Sequence, residues 1–375
     1  MQQKTLKLKD RLFTAEKLNK IASEIHAVYP EFNKEYFIEQ NLAAFPSLEL
    51  KERIQCISVK LAEFLPGDFE EAVHIITSSL PAPCDPYLTD NDFGDFIYAS
   101  YGEFIATYSQ GETTLELALF ALEEITTRFS MEYAIRPFLI QFPTQTLQKL
   151  NRWCEHPHYH VRRLVSEGTR PNLPWGQKVN LDTNQTLPLL DLLHSDNTRF
   201  VTRSVANHLN DISKVNPNIV LEVLEKWKRK SIQAKSELDF LSRHALRTLI
   251  KNGDQRALSF AGLSKDSPIK LKLTDFSSRV YLDDFLRFKI ELSASAQCTV
   301  LVNYVIKFRD IRGKMSRKKV FHLRKTTLKP GETVTLEKKH QMKRNMSTRV
   351  LYPGQQQFSL VVNGSVLLTK IFELV

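Results

Sequence analysis

Cysteine is scarce in this chain, with four among 375 residues, at Cys56, Cys84, Cys154 and Cys298. They lie far apart and show no CxxC or zinc-type spacing, which argues against a disulfide framework or a cysteine metal centre and suits a reducing compartment. Each thiol then reads as a small buried apolar group. Long apolar runs are missing too. Nothing approaches the roughly 20 residues of a membrane span, and the leading MQQKTLKLKD has no apolar segment of the signal-peptide kind. A cytoplasmic protein without a membrane partner is the expectation. Acid is what the second half lacks. Lys and Arg against Asp and Glu number 13 to 22 in residues 1–150, 17 to 11 in 151–260 and 22 to 9 in 261–375. A polyanion such as DNA or RNA would be drawn to that half by counterion release and long-range attraction.

Two hydrophobic periods divide what is present. Up to about residue 260, apolar residues recur at three and four, as in Leu115, Leu119, Leu122 and Ile125, or Val220, Val223, Leu224 and Trp227. That spacing predicts amphipathic helices. Pro66-Gly67, Pro81 to Pro86, Phe142-Pro143, Pro171 to Pro174 and Asn216-Pro217 punctuate them. From about residue 279 the period becomes two, with Val300, Val302, Tyr304, Ile306 and Phe308 alternating along one face. Asn363-Gly364 between FSLVV and SVLLTKIFEL predicts a hairpin, because both residues tolerate the positive φ of a type I′ turn. About seven short strands in roughly 100 residues suit an immunoglobulin-like sandwich. The expected organisation is multidomain, an all-α helical-repeat domain over 1–261 and an all-β domain over 269–375, joined by the turn-rich GLSKDSP of 262–268.

An arginine recurs within the helical half. VRRLV (161–165), VTRSV (201–205) and LSRHA (241–245) place Arg163, Arg203 and Arg243 forty residues apart, and AIRPF (134–138) repeats the pattern at a shorter interval. A period near forty is that of stacked helix pairs of the HEAT or armadillo kind, which leave one face free to carry arginines in a row. Around the first of these arginines, NRWCEHPHYHVRRLVSEGTRPNLPWG (151–176) gathers a carboxylate, several cations and a tryptophan. His156, His158 and His160 alternate about a proline, which is not the i, i+4 geometry of a helical zinc pair, so no metal site is assigned.

SMEYAIRPFL (130–139), HYHVRRLVSEGTRPNLPWG (158–176), NTRFVTRSVANHLNDISK (197–214), LKPGETVTLEKKH (328–340) and STRVLYPG (347–354) resemble the AlkC-type DNA glycosylases. These are HEAT-like-repeat alkylpurine glycosylases related to the AlkD type, and the tail resembles the immunoglobulin-like module of one AlkC subfamily. The resemblance implies hydrolysis of the N-glycosidic bond of cationic alkylated bases such as 3-methyladenine or 3-methylcytosine in double-stranded DNA. It further implies sharp bending of the DNA and no base-flipping pocket, unlike glycosylases that extrude their target. No cofactor is implied, and a monomer is expected.

The residue types make chemical sense of that reaction. An alkylated cationic base leaves as a neutral molecule, whereas the sugar develops oxocarbenium character that a carboxylate stabilises. Glu132, Glu167 and Asp211 are the candidate acids, one of which could orient the attacking water, and the resemblance sets Trp175 beside the lesion and its deoxyribose. Arg163, Arg170, Arg203 and Arg243 are the candidate phosphate ligands, since guanidinium meets phosphate bidentately. For Arg243 and Arg136, salt bridging between repeats is an equal alternative. In the tail, the basic, loop-like KKHQMKRNMSTRVLYPG (338–354) offers Lys338, Lys339, Lys343, Arg344 and Arg349 as a second jaw. A non-catalytic DNA- or protein-binding scaffold is the alternative, and it predicts that Glu132, Glu167, Trp175 and Asp211 lie scattered.

Overall fold

The computed structural model describes residues 7–90, 93–346 and 349–375. The first residues of MQQKTLKLKD, and Ser347 and Thr348 of STRVLYPG, lie outside the described residues. The chain forms two compact units, one ending at Val215 and completed by Leu224–Ala245, the other made of Asn216–Val223 and Leu246–Val375.

The first unit is helical. Local sequence starts its helices: Thr14 accepts from the Lys17 N–H ahead of Ala15–Val28, and Asp68 from the Glu71 N–H ahead of Phe69–Ser78. Capping boxes open Leu50–Phe64 with Glu49 and Glu52, and Thr183–Leu193 with Asp182 and Gln185. The apolar stripe expected from Leu115 to Ile125 is buried along Leu115–Thr126. Pro143 and Pro217 are not gaps between helices. Each is the first residue of one, where its missing N–H costs nothing.

The forty-residue spacing is realised as a row. Helices Tyr159–Gly168, Arg199–Ser213 and Lys235–Ala245 pack side by side in that order, with Thr183–Leu193 against the first two. Arginines outside the recurring set cross-link the row: Arg162 Nη2 meets Asp196 Oδ1 at 3.2 Å, and Arg199 pairs with Glu237.

The second unit is a two-sheet sandwich with strands β1 Ile269–Phe276, β2 Arg279–Val280, β3 Phe285–Ala294, β4 Cys298–Phe308, β5 Arg317–Leu328, β6 Thr333–Gln341, β7 Asn345–Met346, β8 Arg349–Val350, β9 Gly354–Val362 and β10 Ser365–Leu374. One sheet runs β1-β3-β6 and the other β2-β10-β9-β4-β5; β2 pairs parallel to β10, and the other pairs are antiparallel. The alternating residues Val300, Val302, Tyr304, Ile306 and Phe308 enter a core shared with Phe288, Ile290, Phe358 and Leu360. Asn363 and Gly364 make the two-residue turn between β9 and β10 with φ of +46° and +81°. The positive φ is what favours glycine at 364; a Cβ there would also come within 2.6 Å of Leu258 Cδ1, a side-chain end that would have to shift.

Two sequence expectations shift in this unit. Strand structure begins at Ile269, ten residues before the period of two becomes clear, because β1 alternates lysines with only half-buried apolar residues. Segment 338–354 is not one loop: Lys338 and Lys339 stand in β6, opposite Phe288 and Arg287 of β3. The expected linker 262–268 lies inside this unit. Asn363 Nδ2 donates to Ser264 O at 2.7 Å and to Ser267 Oγ at 3.2 Å, and helices Arg247–Asn252 and Gln255–Phe260 accompany the sheets.

Candidate active site

Glu167 is near the C-terminal end of Tyr159–Gly168, 5% exposed. Arg170 Nη1 donates to its Oε1 at 2.6 Å and Ser204 Oγ to its Oε2 at 2.6 Å, while Arg163 Nη2 stands 3.9 Å from Oε2. Helix geometry explains Arg163, since position i−4 shares the face of Glu167, and Arg170 reaches back from the turn just past the helix end. Arg163 also reaches back to Ser130 Oγ at 2.8 Å and Glu132 Oε2 at 3.5 Å, its guanidinium 4.5 Å from the Phe200 ring centroid. Arg170 Nε donates to Asp211 Oδ2 at 3.0 Å, and Lys214 Nζ reaches Asp211 Oδ1 at 2.8 Å. Glu132, Arg163, Glu167, Arg170 and Asp211 are thus one chain of three acids held apart by two guanidiniums.

Arg163, Glu167, Arg170 and Asp211 are buried and Glu132 is half-buried, so their charges depend on one another. Burial alone would raise the Glu167 carboxyl, but Arg163, Arg170 and the Ser204 hydroxyl outweigh it and hold the group below the ordinary carboxylate range. Burial would lower Arg170, yet Glu167 and Asp211 keep it above its ordinary value. Removing one partner would leave an uncompensated buried charge, at a cost of about 3–5 kcal/mol. The carboxylate is therefore ionised in a site where water is largely excluded, the setting in which a fixed charge acts most strongly on a developing positive one.

Trp175 is presented by backbone. It is 66% exposed and holds a φ of +66°, a sparsely populated conformation for a non-glycine residue. Arg136, fully buried, secures the loop from beneath: its guanidinium donates to Gly168 O at 2.7 Å, Arg170 O at 3.1 Å and Gln177 O. Burial and the neighbouring Arg170 lower its pKa to about 10, which still leaves it charged at neutral pH. The glycines of SEGTRPxLPWG fit this arrangement. A Cβ on Gly168 would meet Ile135 Cγ2 at 2.6 Å, and one on Gly176 would meet Leu173 Cδ2 at 3.0 Å and Arg136 Cδ at 3.3 Å. Lys51 donates to Trp175 O. Trp175 lines one cavity with residues 130, 131 and 133, whereas the three acids are joined to one another through Arg163 and Arg170 and none of them lines it.

The remaining residues expected at the site vary in accessibility. Arg163 and Arg170 have their guanidiniums turned into the acid chain. Arg203 is half-buried, its Nη1 3.1 Å from Asp90 Oδ2, and Arg243 is exposed on Lys235–Ala245. Lys343 and Arg344 are exposed, with Arg344 Nε 3.5 Å from Asp283. Arg349 is half-buried, 4.5 Å from the Phe308 ring centroid and 5.6 Å from that of Phe321. His156, His158 and His160 have protein partners: the His158 N–H donates to His156 Nδ1 at 3.0 Å, His158 itself caps Tyr159–Gly168 and its Nε2 lies 2.9 Å from Cys84 O, and His160 Nδ1 lies 3.3 Å from Thr126 O. Sequence reasoning missed Ser204, and it weighed Arg136 as a phosphate ligand or a salt bridge between repeats, whereas Arg136 donates to the carbonyls of Gly168, Arg170 and Gln177. It also passed over residues 307–325, which carry nine Lys or Arg against Asp310 alone, although their charge density was visible in the sequence.

A family model described as DNA alkylation repair enzyme matches residues 126–249, and one described as the C-terminal Ig-like domain of uncharacterised protein YhaZ matches residues 271–375. The alkylpurine DNA glycosylase AlkC of Pseudomonas fluorescens, solved bound to DNA containing an abasic site analog, is 31% identical, with a TM-score of 0.84 over 97% of this chain and 99% of that one. The chain belongs to the AlkC-type DNA alkylation repair glycosylases. The uncharacterized protein YhaZ of Bacillus subtilis is 32% identical over 360 residues, 95% of this chain and 96% of its own length. The helical array followed by an immunoglobulin-like domain is the fold of AlkC. Among the described residues no helix is long and apolar enough to cross a membrane.

Proposed function

We propose that this protein is a monofunctional glycosylase that hydrolyses the N-glycosidic bond of cationic alkylated bases, of the 3-methyladenine and 3-methylcytosine class, in double-stranded DNA. The product is an abasic site, the starting point of base excision repair. Cleavage proceeds on bent DNA without a pocket enclosing the damaged base. The observation that carries this reading is Glu167, kept ionised inside the fold by Arg163, Arg170 and Ser204.

The positively charged base needs no proton to leave, so the barrier lies in the sugar. As the bond stretches, positive charge grows on the deoxyribose, and the preorganised Glu167 carboxylate stabilises it without having to reorient. Glu132 or Asp211, at the two ends of the acid chain, orients the attacking water. Trp175 packs against the damaged nucleotide from its exposed loop. Arg163 and Arg170 serve chiefly to hold the acids, while Arg203, Arg243, Lys343, Arg344 and Arg349 supply positive charge toward the phosphates. The same reading takes the protein as a cytoplasmic monomer that needs no cofactor.

Glu167→Gln tests it. The amide keeps shape and loses charge, so single-turnover release of methylated bases should fall by about 2–4 kcal/mol of transition-state stabilisation while DNA binding persists. Near-normal excision by a folded Glu167→Gln protein would move the essential charge to Glu132 or Asp211. No release of methylated bases by the unaltered protein would end the glycosylase reading.

A further inference from the structure

A cavity of about 540 Å³ opens beside Trp175, walled by Leu50–Phe64, Ala99–Tyr108, the segment 129–141 and the loop 175–177. Its size falls within the range typical of small-molecule sites. Most of the lining is aliphatic or aromatic, and the ionisable side chains in it are Lys51, Glu103 and Tyr133. Glu132, Glu167 and Asp211 do not line it. The cavity therefore adjoins the acid chain without containing it, and its lining is nearly balanced in charge.

Its polar groups sit together. Lys51, Gln55 and Glu103 all line it, and burial pushes the Glu103 carboxyl up from its ordinary value while neighbouring Gln55 and Lys51 act in the opposite direction. A carboxyl beside an amide presents donors and acceptors in one array, the complement of the edge of a heterocyclic base. Tyr133 and the exposed Trp175 supply aromatic surface at the same opening, and aromatic faces accept bases with little regard to their identity.

We propose that this cavity binds an uncharged purine or pyrimidine base, the leaving group of the excision reaction, received beside Trp175 after the bond is cut. The proposal rests on the glycosylase reading. Charge directs the transfer: the alkylated base is a cation while attached to the sugar and suits the carboxylates, and it becomes neutral on leaving and suits a lining without excess charge. The separation of the cavity from all three acids assigns it to the product rather than to the reacting nucleotide.

Equilibrium dialysis of the full-length protein against free 3-methyladenine, with no DNA present, tests the site independently of catalysis. Saturable one-to-one binding with a Kd below about 1 mM is expected. Ala106→Trp, which fills the cavity from helix Ala99–Tyr108, should weaken binding at least about tenfold while leaving the first turnover of excision unchanged. It should also relieve inhibition by added 3-methyladenine. Glu103→Ala, which creates space rather than crowding, should weaken binding in the same direction and serves if Ala106→Trp does not fold by circular dichroism. Absence of saturable binding, or equal affinity in the folded variants, would overturn the proposal. Binding by a protein that excises nothing would instead refute the glycosylase reading, and with it the identification of the ligand as a product.

Discussion

Arg136→Met is the perturbation that most directly separates the acids from their scaffold. The methionine keeps an apolar stem of similar course and removes a buried cation whose guanidinium donates to the carbonyls of Gly168, Arg170 and Gln177. Hydrogen bonds from a charged group contribute about 1.5–3 kcal/mol each, but the removed charge no longer has to be desolvated, so the net loss falls below the sum. A destabilisation of about 3–5 kcal/mol is expected, near the cost of breaking a buried ionic contact. Arg136→Lys keeps the charge but cannot span three carbonyls, and should lose roughly half as much. Trp175 at a φ of +66° has no intrinsic reason to stay there once its loop is loosened. A displacement of about 1 Å would then cost up to about 100-fold in excision rate. Urea unfolding gives the first quantity and single-turnover base release the second. Acrylamide quenching adds a direct readout, because Trp175 is exposed while Trp153 and Trp227 are buried. An Arg136→Met protein within about 1 kcal/mol of the parent, with unchanged excision, would refute the anchoring argument.

DNA affinity should fall steeply between low and physiological salt, and Lys343→Ala with Arg344→Ala should reduce the log-log slope by about one per lost phosphate contact; a flat dependence would exclude an electrostatic clamp. Those two exposed residues should leave the melting temperature unchanged, whereas Arg349→Ala should lower it by removing the guanidinium packed on Phe308 and Phe321, as a thermal scan would show. Stability should also decline in acid through His208, whose pKa burial lowers to about 4 from an ordinary 6.5. Between those values the unfolded chain binds the proton and the folded chain does not, so stability is complete above about pH 6.5 and lost toward pH 4, by about 2–3 kcal/mol; urea midpoints at pH 7 and 4.5 should differ less in His208→Phe.

What was legible in the sequence is whatever repeats or has a local cause. The period of forty marked three neighbouring helices because stacked units must bury the same stripe at each step. Asn363-Gly364 marked its turn because two consecutive positive φ values admit few residues. The acids were legible as a set only through the resemblance, since a helical glutamate beside arginines is ordinarily a solvated face. What could not be read is contact between residues far apart in the chain. Ser204 lies 37 positions from Glu167, and nothing in VTRSV distinguishes a serine that donates to a buried carboxylate from one that faces water. The expected linker failed to separate the units for the same reason, because its serines bond Asn363 almost a hundred residues later.

The arginines show how one motif carries different physics at successive turns. Arg163, Arg203 and Arg243 occupy equivalent positions, yet they run from buried among carboxylates, through half-buried beside Asp90, to exposed. The difference is set by what the adjacent helix offers. Arg163 faces Ser130, Glu132 and the Phe200 ring, which desolvate it and fix its direction. Arg136, matched to the same short pattern at a different interval, meets only backbone carbonyls and becomes the anchor of the Trp175 loop. A guanidinium that must neutralise two carboxylates has few donors left for a phosphate, whereas an exposed one can rearrange toward DNA at little cost. Substitution should follow that gradient: Arg243→Ala should weaken DNA binding and spare the rate of bond cleavage, while Arg163→Ala should leave Glu132 and Glu167 in mutual repulsion and reduce the rate even with DNA saturating. Equal effects of the two on single-turnover excision would mean that burial does not divide their roles.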